Sequence, residues 1–128
     1  MLRYFRELFN RLAPPRMLVF EQDIRLTEEG FTILKDEAAL AHVRWSNVKE
    51  VFAFKLDLLT VDCICLGFHV SQDTGEYTYQ VTEEMSGYRE LVEKMQCIYP
   101  DHNKDWWTQV AFPAFATNYI TIWRRPSN

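Results

Sequence analysis

Glycine is scarce in this chain of 128 residues, which contains four glycines and five prolines. The sequence holds neither a G-x-x-x-x-G-K loop nor a G-x-G-x-x-G turn, the glycine-rich segments that let the backbone approach a phosphate. No apolar run approaches the ~18 residues that a membrane-spanning helix requires. The basic start of the chain, residues 1–6, lacks the apolar core of a secretion signal. These absences argue against nucleotide binding through a known loop and predict a cytoplasmic protein.

Cysteine is also rare, and the positions of the three cysteines do not suggest a disulfide framework. Cys63 and Cys65 lie two residues apart on one face of a predicted strand, where they cannot bridge each other, and Cys97 stands alone. We therefore expect reduced, buried thiols that act as small apolar core residues. The three histidines lie far apart and show no metal-ligand spacing. The sequence thus predicts neither a metal nor a cofactor.

Positive charge is in deficit, with 14 Lys and Arg against 18 Asp and Glu, a net charge of −4. Such a chain is a poor nucleic-acid binder, because phosphate contacts require clustered cations. Residues 1–16 hold four arginines and one glutamate, a local charge of +3, so the remaining residues carry −7. This acidic body predicts a protein partner with a basic surface.

The first 16 residues are predicted to form a separate element. Phe5, Leu8, Phe9 and Leu12 recur at the spacing of one helical stripe, which predicts a short amphipathic helix over residues 2–12. The Pro14-Pro15 pair ends this helix and begins a linker. Residues 17–128 are then predicted to form a single α+β domain.

In the rest of the chain, apolar and polar residues alternate in short runs, as is typical of a β-rich domain. One long helix is predicted to begin at Thr82 or Glu83, with Glu83 and Glu84 favouring its dipole, and to end before Pro100. We expect an antiparallel meander of about six or seven strands, a bent sheet or partly open barrel, with this helix covering an open end or face. A flatter sheet with two helices on one side is the alternative. The predicted strands are 17–26, 31–34, 39–44, 51–56, 61–70, 77–81 and 119–123.

Several motifs resemble a group of small bacterial proteins of unassigned function. The pattern consists of a Trp, Ala-x-Lys-x-Asp followed by Thr-x-Asp, Glu-Glu-x-x-Gly, and a late Trp before Val-Ala-Phe-Pro-Ala-Phe and Asn. In this chain the motifs lie at Trp45, residues 53–57 and 60–62, residues 83–87, Trp106 or Trp107, residues 110–115 and Asn118. The resemblance covers about residues 17–125 and implies a family but no activity. The strand rhythm around Trp45 is also similar to pleckstrin-homology and GRAM-like domains, which implies lipid binding.

One polar cluster lies in an apolar setting, formed by Lys55, Asp57, Thr60 and Asp62. Lys55 and Asp57 project on the same face of a strand, and a tight connection returns Asp62 near them. Two carboxylates beside a lysine can serve as an acid/base pair or bind a hard metal ion. The alternative is an ion-paired structural turn, which is the more common use of such residues. We favour the structural interpretation and name no catalytic residue.

The last quarter of the chain is rich in aromatic residues. Trp106, Trp107, Phe115 and Trp123 are candidates for a docking surface, since rings with polar tips are frequent interface anchors. The alternative is that they close the core. Three functions follow: a non-enzymatic protein-binding module, with an immunity or antitoxin-like protein as one form; a metal-assisted hydrolase using Asp57, Asp62 and Lys55; and a peripheral lipid-binding domain.

The binding module is the function that we favour, and we predict that the protein is not an enzyme. The lipid-binding alternative depends on the basic first helix, where Arg3, Arg6 and Arg11 could contact an anionic membrane. A helix of about 11 residues binds a membrane only weakly. Packing of this helix on the acidic body is therefore the favoured alternative. The sequence does not determine the oligomeric state.

Overall fold

The computed structural model describes residues 22–57, 62–112 and 119–127. These ranges form an α+β fold of seven strands, a single 3-10 turn and two helices, which confirms the predicted class and strand number. The predicted helix over residues 2–12 lies outside the described residues. The strands are β1 (Asp23–Leu26), β2 (Gly30–Lys35), β3 (Ala38–Arg44), β4 (Val48–Asp57), β5 (Asp62–Gln72), β6 (Gly75–Thr82) and β7 (Tyr119–Arg124). The 3-10 turn is Trp45–Asn47, and the helices are α1 (Tyr88–Ile98) and α2 (Trp106–Ala111).

The strands form two antiparallel sheets rather than one continuous meander. Strands β1, β2 and β3 make a three-stranded sheet in chain order, and the second sheet has the order β6-β5-β4-β7. The 3-10 turn joins the two sheets directly. Its Trp45 ring lies 5.3 Å from Phe31 of the first sheet and 6.3 Å from Phe68 of the second. The sheets therefore share one core at this corner.

The central strands β4 and β5 are buried on both faces. One face of the four-stranded sheet, here called the helix face, carries Ala53 and Lys55 of β4, which alternate with Phe52 and Phe54 on the second face. Helix α2 packs on β4 and β7, and the Lys55 ammonium on the helix face donates a hydrogen bond to its Ala111 carbonyl. Because both faces of β4 and β5 are buried, most side chains on both faces are apolar, and each strand is a nearly continuous apolar run in the sequence.

Helix α1 begins later than the sequence predicts. Residues 83–87 form turns, and Gly87 takes the N-cap position with φ of 91°, a left-handed conformation that favours glycine. A Cβ atom at this position would collide with the Ile24 carbonyl, while the Ile24 amide donates to Ser86. The Glu-Glu-x-x-Gly motif therefore brings the start of the helix against β1.

Two expectations about side chains near α1 were wrong. Glu83 and Glu84 precede the helix by one turn and do not cap it; the Glu83 carboxylate instead accepts a hydrogen bond from the Ile64 amide of β5 at 2.9 Å. Cys97, expected to be buried, is exposed on α1, whereas Cys63 and Cys65 are buried free thiols. The apolar stripe of α1 buries Leu91 and Met95, and Cys97 lies outside it.

Gly67 of β5 provides the space in which Phe52 of β4 lies across the sheet. The two residues are cross-strand partners, and a Cβ atom on Gly67 would overlap the Phe52 ring. Phe52 is fully buried and stacks on Tyr119 at a ring distance of 4.9 Å. A glycine in the middle of a strand is thus retained for the close approach of an aromatic ring.

We expect the substitution Gly67→Ala to destabilise the fold by about 1–3 kcal/mol, because the added methyl group displaces a buried ring. The free energy of unfolding in urea measures this loss. Adding Phe52→Leu to Gly67→Ala makes room for the methyl group, so the pair should cost less than the sum of the single changes. Strict additivity would contradict the proposed contact.

Candidate functional site

The polar cluster predicted from the sequence is partly assembled in the interior. The Lys55 ammonium lies 3.6 Å from an Asp62 carboxylate oxygen, and it donates to the Ala111 carbonyl at 2.9 Å. The Lys55 side chain is 1% exposed and that of Asp62 is 18% exposed. Asp57 is the backbone partner of Asp62 across the hairpin, but the Asp57 side chain and Thr60 lie outside the described residues. The Lys55–Asp62 ion pair thus links strands β4 and β5 beneath α2.

The tryptophans of the C-terminal quarter have different environments. Trp106 and Trp123 are buried, and their indole nitrogens donate to Gln96 and Asp101, each at 3.0 Å. Trp107 is 52% exposed. Phe115 lies outside the described residues. Of the described candidates, Trp107 therefore presents the largest ring surface to a partner.

An open groove of about 550 Å³ lies between the start of α1 and the start of α2. Its apolar lining comes from Met85, Tyr88 and Val92, and Trp107 stands at its edge beside the buried Trp106. Trp106 and Val110 are buried one helical turn apart on α2, so Trp107 points away from the core. The groove thus combines an apolar floor with one exposed aromatic ring.

The rim of the groove is acidic. Glu83, Glu90 and Glu93 line it together with a single cation, Arg89, a formal excess of two negative charges. Glu90 and Glu93 are exposed residues of the first two turns of α1. Carboxylates around a partly apolar cleft attract cationic groups, and the cleft walls reduce the screening by water. This groove is the strongest candidate binding site in the described part of the chain.

Tyr88 lines the groove, and its hydroxyl is buried and neutral. Burial raises the pKa of Tyr88 well above its usual range, and the nearby Cys65 and Glu83 raise the pKa further. The hydroxyl therefore keeps its proton at physiological pH. The hydroxyl is buried and has no hydrogen-bond partner among the described residues.

A second cleft of about 330 Å³ lies at the other end of α1, between Tyr99, Trp123 and Arg125. Tyr99 stacks on Trp123 at 3.8 Å, and the Tyr99 hydroxyl donates to the Trp45 carbonyl at 2.7 Å. The Arg125 guanidinium donates to the Val48 and Trp45 carbonyls. Because these polar groups are engaged within the fold, this cleft is a weaker candidate than the groove.

The histidines of the described ranges make local contacts. The imidazoles of His42 and His69 hydrogen-bond the Thr32 and Thr78 hydroxyls at 2.9 and 2.7 Å. Within residues 22–57, 62–112 and 119–127 there is no group of three or more His, Cys, Asp or Glu side chains arranged to hold a metal ion. In the same ranges no helix has the length and apolar character needed to cross a membrane.

Replacing Lys55 tests the role of the buried ion pair. Lys55→Met leaves the Asp62 carboxylate without this cation in a largely buried position, so we expect a loss of roughly 3 kcal/mol in the free energy of unfolding. Lys49→Met, at the exposed start of the same strand, is the matched control and should change stability by less than about 0.5 kcal/mol. Urea denaturation of both variants measures the difference. A Lys55→Met variant as stable as the parent would contradict a structural role.

The chain matches no protein-family model, no curated protein and no solved structure. The resemblance of its motifs to a small bacterial family, and of its strand rhythm to pleckstrin-homology domains, therefore stays a prediction.

Proposed function

We propose that this protein is a non-enzymatic binding module that docks a basic segment of a protein partner in the groove between α1 and α2. The observation that carries the proposal is the exposed Trp107 ring at the edge of a partly apolar groove with an acidic rim. Trp is among the residues most often found to dominate binding energy at interfaces. An exposed Trp beside carboxylates suits a partner that presents Lys or Arg together with an apolar side chain.

The recognition combines two kinds of contact. An apolar side chain of the partner contacts Met85 and Val92 in the groove, and a neighbouring cation meets Glu90 and Glu93 on the rim. A guanidinium that lies over the Trp107 ring adds a cation–π interaction of about 0.5–2 kcal/mol. The acidic rim also accelerates the encounter with a basic partner through electrostatic steering.

Two further observations support this proposal. The net charge of −4 favours association with a basic surface. Lys55 is enclosed under α2 and engaged with Asp62 and Ala111, an arrangement suited to holding strands together. One form that the proposal takes is a cytoplasmic immunity or antitoxin-like protein that occludes the basic surface of a toxin. The hydrolase and lipid-binding alternatives stay predictions, because Thr60 and Arg3, Arg6 and Arg11 lie outside the described residues.

Trp107→Ala tests the aromatic anchor. The probe is a set of short synthetic peptides that carry three arginines or lysines around one leucine, with glutamate-substituted versions as negative controls. We expect the basic peptides to bind, and Trp107→Ala to weaken the tightest of them about 30-fold, since a hot-spot side chain contributes about 2 kcal/mol. Leu40→Ala, which removes another exposed apolar side chain at a distance from the groove, should leave the Kd unchanged. Isothermal titration calorimetry measures both.

Reversing charge on the rim tests the electrostatic part of the proposal. Glu90→Lys combined with Glu93→Lys should abolish binding of the basic peptides, and binding by the parent should weaken as ionic strength rises. Glu76→Lys, at the opposite end of β6, changes net charge without touching the groove and is the control. Equal effects of the rim and control changes, or no binding by any basic peptide, would refute the proposed site.

A further inference from the structure

Cys63 and Cys65 place two thiols side by side in the interior of the protein. The residues are two apart on β5, so their side chains project on the same side of the strand. Their sulfur atoms lie 4.0 Å apart, both thiols are free, and both residues are 0% exposed. Two sulfur atoms at this separation can hold one metal ion between them, since two metal–thiolate bonds of ~2.3 Å span up to ~4.6 Å.

Three buried polar side chains around this pair have no hydrogen-bond partner among the described residues. They are the hydroxyls of Thr82 and Tyr88 and the side-chain amide of Gln80. Thr82 is the cross-strand partner of Cys65, so the two Cβ atoms lie about 5 Å apart, and Gln80 follows on the same side of β6. Buried polar groups without a partner are uncommon in folded proteins and require an explanation.

The Tyr88 hydroxyl approaches the thiols from the start of α1. Burial raises the pKa of Tyr88 well above its usual range, and Cys65 and Cys63 are near enough to raise the pKa further. Two hydroxyl donors, from Thr82 and Tyr88, therefore lie close to two sulfur atoms. Neutral thiols accept hydrogen bonds only weakly, whereas thiolates accept them well. Both donors would gain an acceptor if the sulfur atoms became thiolates.

We propose that Cys63 and Cys65 bind one Cu(I) ion as two thiolate ligands, and that the Thr82 and Tyr88 hydroxyls donate hydrogen bonds to the sulfur atoms. Soft thiolate ligands favour Cu(I), whereas a structural Zn(II) site needs four ligands. In the part of the chain that the structure describes, no third His, Cys, Asp or Glu side chain completes a metal-binding group with these thiols. A site with two sulfur ligands therefore suits Cu(I) better than Zn(II).

The charges and protons of this binding step balance. Two S–H bonds are replaced by two S–Cu bonds, two protons are released to the solvent, and the oxidation state of copper does not change. Burial raises the pKa of Cys65, so without a cation this thiol keeps its proton. A bound cation offsets that cost. Two thiolates and one Cu(I) carry a net charge of −1, which the hydroxyl donors of Thr82 and Tyr88 stabilise as neighbours of the metal ligands.

Copper retention tests the proposal in the full-length protein. The probe is Cu(I), supplied without oxygen while the chain refolds from urea, because both thiols are closed to solvent in the folded protein. Weakly bound copper is then removed with the chelator bicinchoninate. The parent and Cys97→Ala should each retain one copper per chain, whereas Cys63→Ala with Cys65→Ala should retain none. Loss of copper from Cys97→Ala, or its retention by the double variant, would overturn the proposal.

A stability measurement keeps the test valid if the double alanine variant does not fold. An ion that binds the folded chain in preference to the unfolded chain stabilises the fold. One equivalent of Cu(I) should therefore raise the urea midpoint of Cys97→Ala. An unchanged or lowered midpoint would show that copper binds thiols of the unfolded chain instead, and the proposed site would be wrong.

Replacing the two hydroxyls tests their role as donors. Tyr88→Phe and Thr82→Val should each weaken Cu(I) binding about 10-fold in competition with bicinchoninate. The urea midpoint of the metal-free protein should hardly change, because neither hydroxyl has a partner among the described residues. Thr78→Val, on the same side of β6 but bonded to His69, is the control and should leave the copper affinity unchanged. Parent-like affinity in both test variants would contradict the proposed donors.

The copper site is separate from the surface proposed for a protein partner. The two cysteines do not line the groove between α1 and α2. Cys63→Ala with Cys65→Ala should consequently leave the affinity for basic peptides unchanged where the variant folds, so each proposal can fail without the other.

Discussion

The double burial of strands β4 and β5 is the constraint on which the rest of this structure depends. Both strands are apolar along their central residues because each face of the sheet they form is enclosed. The one ammonium in this region, on Lys55, consequently requires an acceptor and an anion, which Ala111 and Asp62 provide. Among the described residues, the groove where α1 and α2 begin lies outside this enclosed pair of strands.

Much of the fold was predictable from the sequence because strand signals in this chain are local. The seven strands were recognisable by their alternation of residues and by their β-branched and aromatic content. Their division into two sheets was not, because it depends on the turn at Trp45, which the periodicity of the sequence does not reveal. Helix α2 was missed because six residues are too few to be stable alone, so tertiary packing of Trp106 and Val110 decides its formation. The late start of α1 follows from the contact of Gly87 with β1, which is distant in the sequence and was therefore not predicted.

The candidate site was predictable only in part. Adjacency of Lys55 and Asp62 follows from strand spacing, but their enclosure by α2 depends on a segment 56 residues away. Trp106 and Trp107 are equivalent by composition, and only the helical spacing of Trp106 with Val110 distinguishes the buried ring from the exposed one. The groove itself unites residues from two helices and the turn before α1, and no local pattern in the sequence connects them.

The central claim is that binding occurs at the groove between α1 and α2. Nuclear magnetic resonance of isotope-labelled protein, titrated with the tightest-binding arginine-containing peptide, tests it residue by residue. The account predicts that shifts concentrate in residues 83–93 and in the Trp107 indole, while β3 and the β5–β6 turn stay unchanged. Shifts centred on β3, on the cleft at Tyr99 and Arg125, or spread evenly over the sheets would contradict it.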